Sequence, residues 1–288
     1  MSFDLDSYIK ETTEQWESEM TKHKRFPLWN KNEIPMFDPN IEQSEPSIVP
    51  YLVQGDWLRG AVIICAGGSY TWKEPLEAFA HAEWLNQAGF HAFVLDYRVK
   101  PYKPACALCD AQRAIRTLKY MANAWKIKKD HIALMGFSSG GHLAAMASTH
   151  FDYGNKLAKD PVDRKSCRPD AQILCYPHIT YTPYIKDDPE FMVKTFGEGY
   201  AEEDVNKVNA NLHVKEDTPP VFLWGMQGDW QFKQKHWKFY TEALDEKEIS
   251  YSYHIFPNGS HSEAREPVSP VWKQWTMLCE FWLKDLGF

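Results

Sequence analysis

The chain has 288 residues, 44% hydrophobic and 25% charged, the proportions of a globular protein with a sizeable core. A net charge of -7 leaves no basic stripe for phosphates, which argues against a nucleic-acid partner. No apolar run approaches the ~20 residues that span a bilayer, so no membrane partner is expected. Asp4, Asp6, Lys10 and Glu11 interrupt any leader-like apolar segment, so the expected location is cytoplasmic.

In chain order, Tyr8, Ile9, Trp16 and Met20 form one amphipathic helix, followed by Pro27, Pro35, Pro39, Pro46 and Pro50. Residues 1–50 therefore read as an N-terminal arm packed on the main domain. Short apolar runs then alternate with helical patterns. Residues 61–65, 92–95, 132–135, 171–175 and 221–224 are continuously apolar or nearly so, as strands covered on both faces are, and 251–256 follows as a further strand. Helices are predicted over 76–88, closed by Gly89, and along the face Leu108, Ala111, Ile115, Leu118, Met121 and Trp125. A last helix is predicted over 271–286. The alternation predicts an α/β fold with right-handed crossovers, a mostly parallel central sheet flanked by helices, and ligands at the carboxyl ends of the strands.

The stretch 177–219 falls outside this rhythm. It is polar and dotted with Tyr181, Tyr184, Phe191, Phe196 and Tyr200. Long connections are usually functional, which favours a partial cap over the cleft against a surface excursion. With no internal repeat or linker, residues 1–288 read as a single domain. The aromatic content of 15%, with 12 Trp, serves core packing first, and some rings suit a cleft for sugar faces or acyl chains. Of six cysteines, Cys65 and Cys175 lie in apolar strand runs as small hydrophobes. Cys106-x-x-Cys109 lacks a second Cys or His pair at zinc spacing, so neither metal nor cofactor is expected.

Gly136-Phe137-Ser138-Ser139-Gly140 sits between the apolar run 131–135 and the helical pattern 141–147. A Gly-x-Ser-x-Gly in that context forces the serine into a strained turn and exposes its Oγ at a helix N-terminus. The flanking glycines remove side chains that would clash with the neighbouring strand and helix. A serine hydroxyl needs a base beside it, oriented by a carboxylate. Asp229, after the strand 221–224, and His261, in Pro257-Asn258-Gly259-Ser260-His261 after the strand 251–256, follow Ser138 in the order Ser, Asp, His. His142, His178 and His254 are weaker candidates, by helix packing, chain order and strand position respectively. For the oxyanion, the N–H of Ser139 is one candidate donor. Gly68 and Ser69, in Ala66-Gly67-Gly68-Ser69-Tyr70 after the strand 61–65, are the others.

These residues resemble the α/β-hydrolase fold. More narrowly, they resemble the bacterial esterase/lipase group with acetyl-xylan esterase-like and feruloyl-esterase-like members. The resemblance rests on Cys65-Ala66-Gly67-Gly68-Ser69-Tyr70, Leu95-Asp96-Tyr97-Arg98 and Asp110-Ala111-Gln112-Arg113-Ala114-Ile115-Arg116. Gly136-Phe137-Ser138-Ser139-Gly140-Gly141-His142-Leu143-Ala144 and Thr218-Pro219-Pro220-Val221-Phe222-Leu223-Trp224 complete it. Ala66 stands where the group has Pro, Ser69 where it has a third Gly, and Met226-Gln227-Gly228-Asp229 where it often has Thr-Ala-Asp-Asp. The resemblance implies acyl ester hydrolysis, often of small acyl groups on sugars. The expected partner is a small-molecule ester, with oligomeric state unread. A prolyl-oligopeptidase-like serine peptidase and a catalytically silent binding module on the same fold stay open as alternatives.

Overall fold

The computed structural model describes residues 4–288 except 31, 197, 230, 232, 233 and 258; the side chains at 185, 187, 191, 194, 196, 235 and 264 also lie outside the described set. The side chains of Phe191 and Phe196 and the whole of Asn258, singled out in the sequence, thus fall outside it. Among the described residues eight strands form one sheet: β1 (Phe26–Pro27), β2 (Ser47–Tyr51), β3 (Arg59–Cys65), β4 (His91–Asp96), β5 (Ile127–Phe137), β6 (Ala171–Cys175), β7 (Val221–Met226) and β8 (Tyr251–Phe256). Their order is β1-β2-β4-β3-β5-β6-β7-β8. The pairs from β4 across to β8 are parallel. Every residue of β4, β6 and β7 is buried, which explains why they are apolar apart from His91, Asp96 and Gln172.

The N-terminal segment is more than an arm laid on the domain. It supplies β1 and β2, which extend the sheet, β1 pairing antiparallel with β2 and β2 antiparallel with β4. The first helix, α1 (Leu5–Thr21), is capped by Asp4, whose side chain accepts from the amides of Asp6 and Ser7. It buries Thr12, Trp16 and Met20, spaced four apart on one face.

The helix predicted over 76–88 is split. A 3-10 turn over Pro75–Glu77 precedes α2 (Phe79–Gln87), with Ala78 at φ -124° and ψ -72° between them. The break turns Glu77 inward, where it is buried. The helices α3 (Pro104–Met121) and α4 (Ser139–Thr149) flank the sheet before 177–219, and two further helices over Gln234–Glu246 and Pro270–Asp285 follow it. Within 177–219 lie α5 (Tyr184–Asp187), α6 (Pro189–Phe196) and α7 (Glu202–Lys207), then a 3-10 turn over Ala210–His213. Tyr181, Met192 and Val205 form a small apolar cluster of their own there. The Asn209 side chain accepts the Tyr181 amide at 2.6 Å and donates to Thr182 Oγ1 at 3.0 Å, replacing sheet pairing as the organiser of this stretch. Among the described residues no helix is long and apolar enough to cross a membrane.

One carboxylate ties the N-terminal segment to the carboxyl edge of the sheet. Asp96, at the end of β4, accepts from Lys73 Nζ (2.5 Å), Arg25 Nη2 (2.6 Å), Ser44 Oγ (2.7 Å) and Trp16 Nε1 (3.0 Å). Burial alone would raise its pKa, but Lys73 and Arg25 outweigh that and hold it below the ordinary value. Removing the charge strands a buried Lys73, so Asp96→Asn is expected to cost about 3–5 kcal/mol in urea denaturation. With the folded pKa depressed, the Asp96 contribution is complete above the unfolded carboxylate value of about 4 and is lost as pH falls through the folded value. The stability gap between wild type and Asp96→Asn is therefore expected to narrow on acidification below about pH 4.

Candidate active site

The turn between β5 and α4 holds Ser138 at φ 51° and ψ -117°. A side chain at Gly140 would place a Cβ 2.2 Å from the Cys65 carbonyl oxygen, and one at Gly136 would sit 2.0 Å from the Gly140 oxygen. Only glycine lets the turn press against β3 this closely. The backbone of Ser138 is pinned on both sides. Its N–H donates to the Cys175 carbonyl (3.0 Å), and its own carbonyl accepts from the amides of His142 and His178, both at 3.1 Å.

The loops after β7 and β8 bring two side chains to this serine. Asp229 is buried; its Oδ1 accepts the Gln231 amide at 2.9 Å, and its Oδ2 lies 2.8 Å from His261 Nδ1. His261 Nε2 lies 2.9 Å from Ser138 Oγ. A carboxylate accepts only, so the contact to Asp229 calls for a proton on Nδ1 and leaves the Nε2 lone pair for the serine hydroxyl. Gly228 and Gly259 cross closely, a Cβ at Gly228 falling 2.5 Å from the Gly259 oxygen, which brings the two loops together.

The loop after β3 packs beside Ser138. A Cβ at Gly67 would lie 3.0 Å from Ser138 Cβ. Gly68, Ser69 and Tyr70 follow with φ of 123°, 53° and 56°, and the Gly68 carbonyl accepts from the amides of Thr71 (2.8 Å) and Trp72 (3.1 Å). Among the described residues the amides of Gly68 and Ser69 donate to no protein acceptor. Ser139 is the first residue of α4, where a helix amide has no acceptor within the helix. The geometry thus combines a serine hydroxyl, a base with its orienting carboxylate, and amides adjacent to the turn, the parts needed for acyl transfer.

The other histidines are placed elsewhere. His142 bonds Tyr70 Oη and the Val208 carbonyl, both at 2.7 Å, and burial pushes its pKa down to about 4. His178 is buried, bonds the Thr180 carbonyl at 3.2 Å, and is pushed well below the ordinary value by that burial. His254 stays on β8 with Ser252 Oγ at 2.8 Å. Cys106 and Cys109 are free thiols, and burial pushes Cys109 up to about 11. Among the described residues no group of three or more His, Cys, Asp or Glu side chains could hold a metal ion.

Sequence reasoning passed over Glu77 and Tyr176. Glu77 Oε2 accepts the Gly67 amide at 2.7 Å, and its Oε1 accepts the Tyr176 hydroxyl at 2.7 Å. The Tyr176 ring lies 5.0 Å from the His261 ring at 74°. The one local signal is an acidic residue beside apolar ones just after a Gly-Gly loop, and it names no partner.

Residues 56–239 match the BD-FAE family. Over 250 residues, 83% of the chain, there is 30% identity with endo-1,4-beta-xylanase B of Butyrivibrio fibrisolvens, of which 38% is covered. Over 139 residues, 48% of the chain, there is 27% identity with 26% of an acetylxylan esterase of Xylanibacter ruminicola. The chain therefore spans well under half the length of these curated relatives. Among solved structures, an acetyl ester-xyloside bifunctional hydrolase from Caldicellulosiruptor lactoaceticus superposes with a TM-score of 0.87 and 38% identity, covering 92% of this chain and 97% of that one. The propionate-bound esterase Est2 of Thermogutta terrifontis superposes with a TM-score of 0.76 and 19% identity, covering 95% and 97%, a likeness of fold alone. The mostly parallel sheet with its flanking helices is the α/β-hydrolase fold, and the chain belongs to the BD-FAE family.

Proposed function

We propose that this protein is a serine carboxylesterase that hydrolyses short-chain acyl esters, acetyl groups on sugars or oligosaccharides first among them. The observation that carries the reading is the relay Ser138 Oγ, His261, Asp229, with contacts of 2.9 and 2.8 Å. The similarity to a xylanase, an acetylxylan esterase and an acetyl ester-xyloside hydrolase supports an acylated sugar as substrate.

In this reading Ser138 Oγ attacks the ester carbonyl carbon while its proton passes to His261 Nε2. The carbonyl oxygen becomes an oxyanion held by the amides of Gly68, Ser69 and Ser139. Asp229 keeps the imidazole in the working tautomer and stabilises its protonated form. The protonated Nε2 then gives its proton to the departing alcohol oxygen as the carbon–oxygen bond breaks. A water molecule, deprotonated by the same nitrogen, attacks the acyl-serine, and as the acyl–oxygen bond breaks Nε2 returns that proton to Ser138 Oγ and the acid leaves. The cytoplasmic location belongs to the same proposal. Six free thiols support a reducing compartment, where soluble acetylated oligosaccharides rather than polymer would be the substrate.

Hydrolysis of p-nitrophenyl acetate, butyrate and octanoate and of acetylated xylo-oligosaccharides tests the reading. Turnover falling with acyl length is expected, and Ser138→Ala is expected to lower kcat by at least about 10⁴-fold, leaving KM little changed. No difference between wild type and Ser138→Ala on any ester would exclude it. Asp229→Asn keeps the shape of the side chain but removes the acceptor-only carboxylate. It is expected to lower kcat about 10³–10⁴-fold, measured on the acetate ester, through the wrong imidazole tautomer.

A further inference from the structure

We propose that Glu77 is a positioning residue for this reaction, holding the loop that presents Gly68 and Ser69 in register with both Ser138 and His261. The proposal rests on the esterase reading above and adds a residue that acts through others. Glu77 is buried, 3% exposed, and each of its carboxylate oxygens accepts one hydrogen bond of 2.7 Å. One comes from the amide of Gly67, immediately before the two proposed oxyanion donors. The other comes from the hydroxyl of Tyr176, whose ring packs edge-on with the imidazole of His261.

The fit around Gly67 leaves the loop little freedom. A Cβ there would meet Glu77 Oε2 at 2.6 Å, the Phe137 oxygen at 2.8 Å and Ser138 Cβ at 3.0 Å. The Gly67 backbone is thus gripped between the carboxylate on one side and the nucleophile's own turn on the other. A movement of Glu77 shifts the amides of Gly68 and Ser69 relative to the oxygen they are to hold. Oxyanion donors act through distance, so small displacements are felt in the transition state and hardly in substrate binding.

A second link runs alongside. Glu74, three residues earlier on the same turn, accepts from Tyr8 Oη at 2.6 Å and pairs with Arg265 Nη1 at 3.2 Å. Arg265 lies four residues after His261. The pair Glu74 and Glu77 therefore joins the oxyanion loop to the His261 loop at two points, one through Arg265 and one through Tyr176. Burial pushes the Glu77 carboxyl up, and the bonds from Tyr176 and Gly67 pull against it. Burying an acid is costly, and here its two acceptor oxygens meet two buried donors that no apolar residue could satisfy.

Steady-state kinetics on p-nitrophenyl acetate with Glu77→Leu, Glu77→Gln and Tyr176→Phe test this, with circular dichroism to verify folding. Glu77→Leu removes both acceptors at similar volume. Its kcat is expected to fall about 10–100-fold with KM within about threefold of wild type. Glu77→Gln can accept from Gly67 with its carbonyl and donate to the Tyr176 oxygen with its amide, so it is expected to recover kcat to within about threefold. A folded Glu77→Leu with wild-type kcat overturns the proposal, and so does a Glu77→Gln as impaired as Glu77→Leu. Should Glu77→Leu not fold, Tyr176→Phe decides. A fall in kcat of about threefold or more at unchanged KM supports the link, and an unchanged kcat overturns it. Turnover by the unaltered protein that does not depend on Ser138 removes the esterase reading and this proposal together. Ser138-dependent turnover that ignores Glu77 and Tyr176 removes the proposal alone.

Discussion

A serine held at φ 51° and ψ -117° is the constraint on which the rest of the structure depends. L-residues avoid such a conformation, and it persists only where the surroundings over-determine it. Here those surroundings are β3, β5 and β6. Gly136 and Gly140 let the turn close against β3, while the Cys175 carbonyl at the end of β6 takes the Ser138 amide. The helix that follows, α4, is buried at all eleven positions, so its residues are small or apolar apart from His142, whose ring is satisfied by Tyr70 Oη and the Val208 carbonyl. A loose sheet or a mobile α4 would release the strain by moving Ser138.

Around that apolar centre, the carboxyl edge of the sheet is held by buried charge. Asp96 gathers Trp16, Arg25, Ser44 and Lys73. Two residues on, Arg98 forks onto Asp110 of α3, with Nη2–Oδ1 at 2.6 Å and Nε–Oδ2 at 3.0 Å. Such geometry fixes direction as well as distance, which apolar contacts do not. Loops at a strand end cannot use ladder pairing to stay in place. They are positioned instead by long-range polar contacts, and the Glu74 and Glu77 turn extends the same device to the loop after β3.

The N-terminal segment shows where local reading ends. Its helix is visible in the spacing of Trp16 and Met20, and residues 1–50 read from their prolines as an arm. Two strands were hidden there. β1 has only two residues, and β2 carries Pro50, a residue that ordinarily argues against a strand. Pro50 is tolerated because β1 reaches only Ser47 and Ile48, leaving the far end of β2 with β4 as its neighbour. Whether a short run pairs is decided by the edge it meets, which no window of sequence contains. The split of the predicted helix over 76–88 has the same origin, since the break serves the inward contacts of Glu77.

The sequence by itself determined what depends on neighbours in the chain. The five apolar strand runs, the helix faces and the strand-to-helix turn at Ser138 follow from periodicity and from the missing side chains of Gly136 and Gly140. The order Ser138, Asp229, His261 was legible because each residue follows a strand, and strands in a parallel sheet end on one side. Only the tertiary structure decided which groups touch. Ser138 and His261 are 123 residues apart, and Glu77 and Tyr176 are 99 apart. The physical reason is that burial has a period, which a sequence displays, whereas a carboxylate or an imidazole accepts many partners and carries no mark of the one that folding brings within 3 Å.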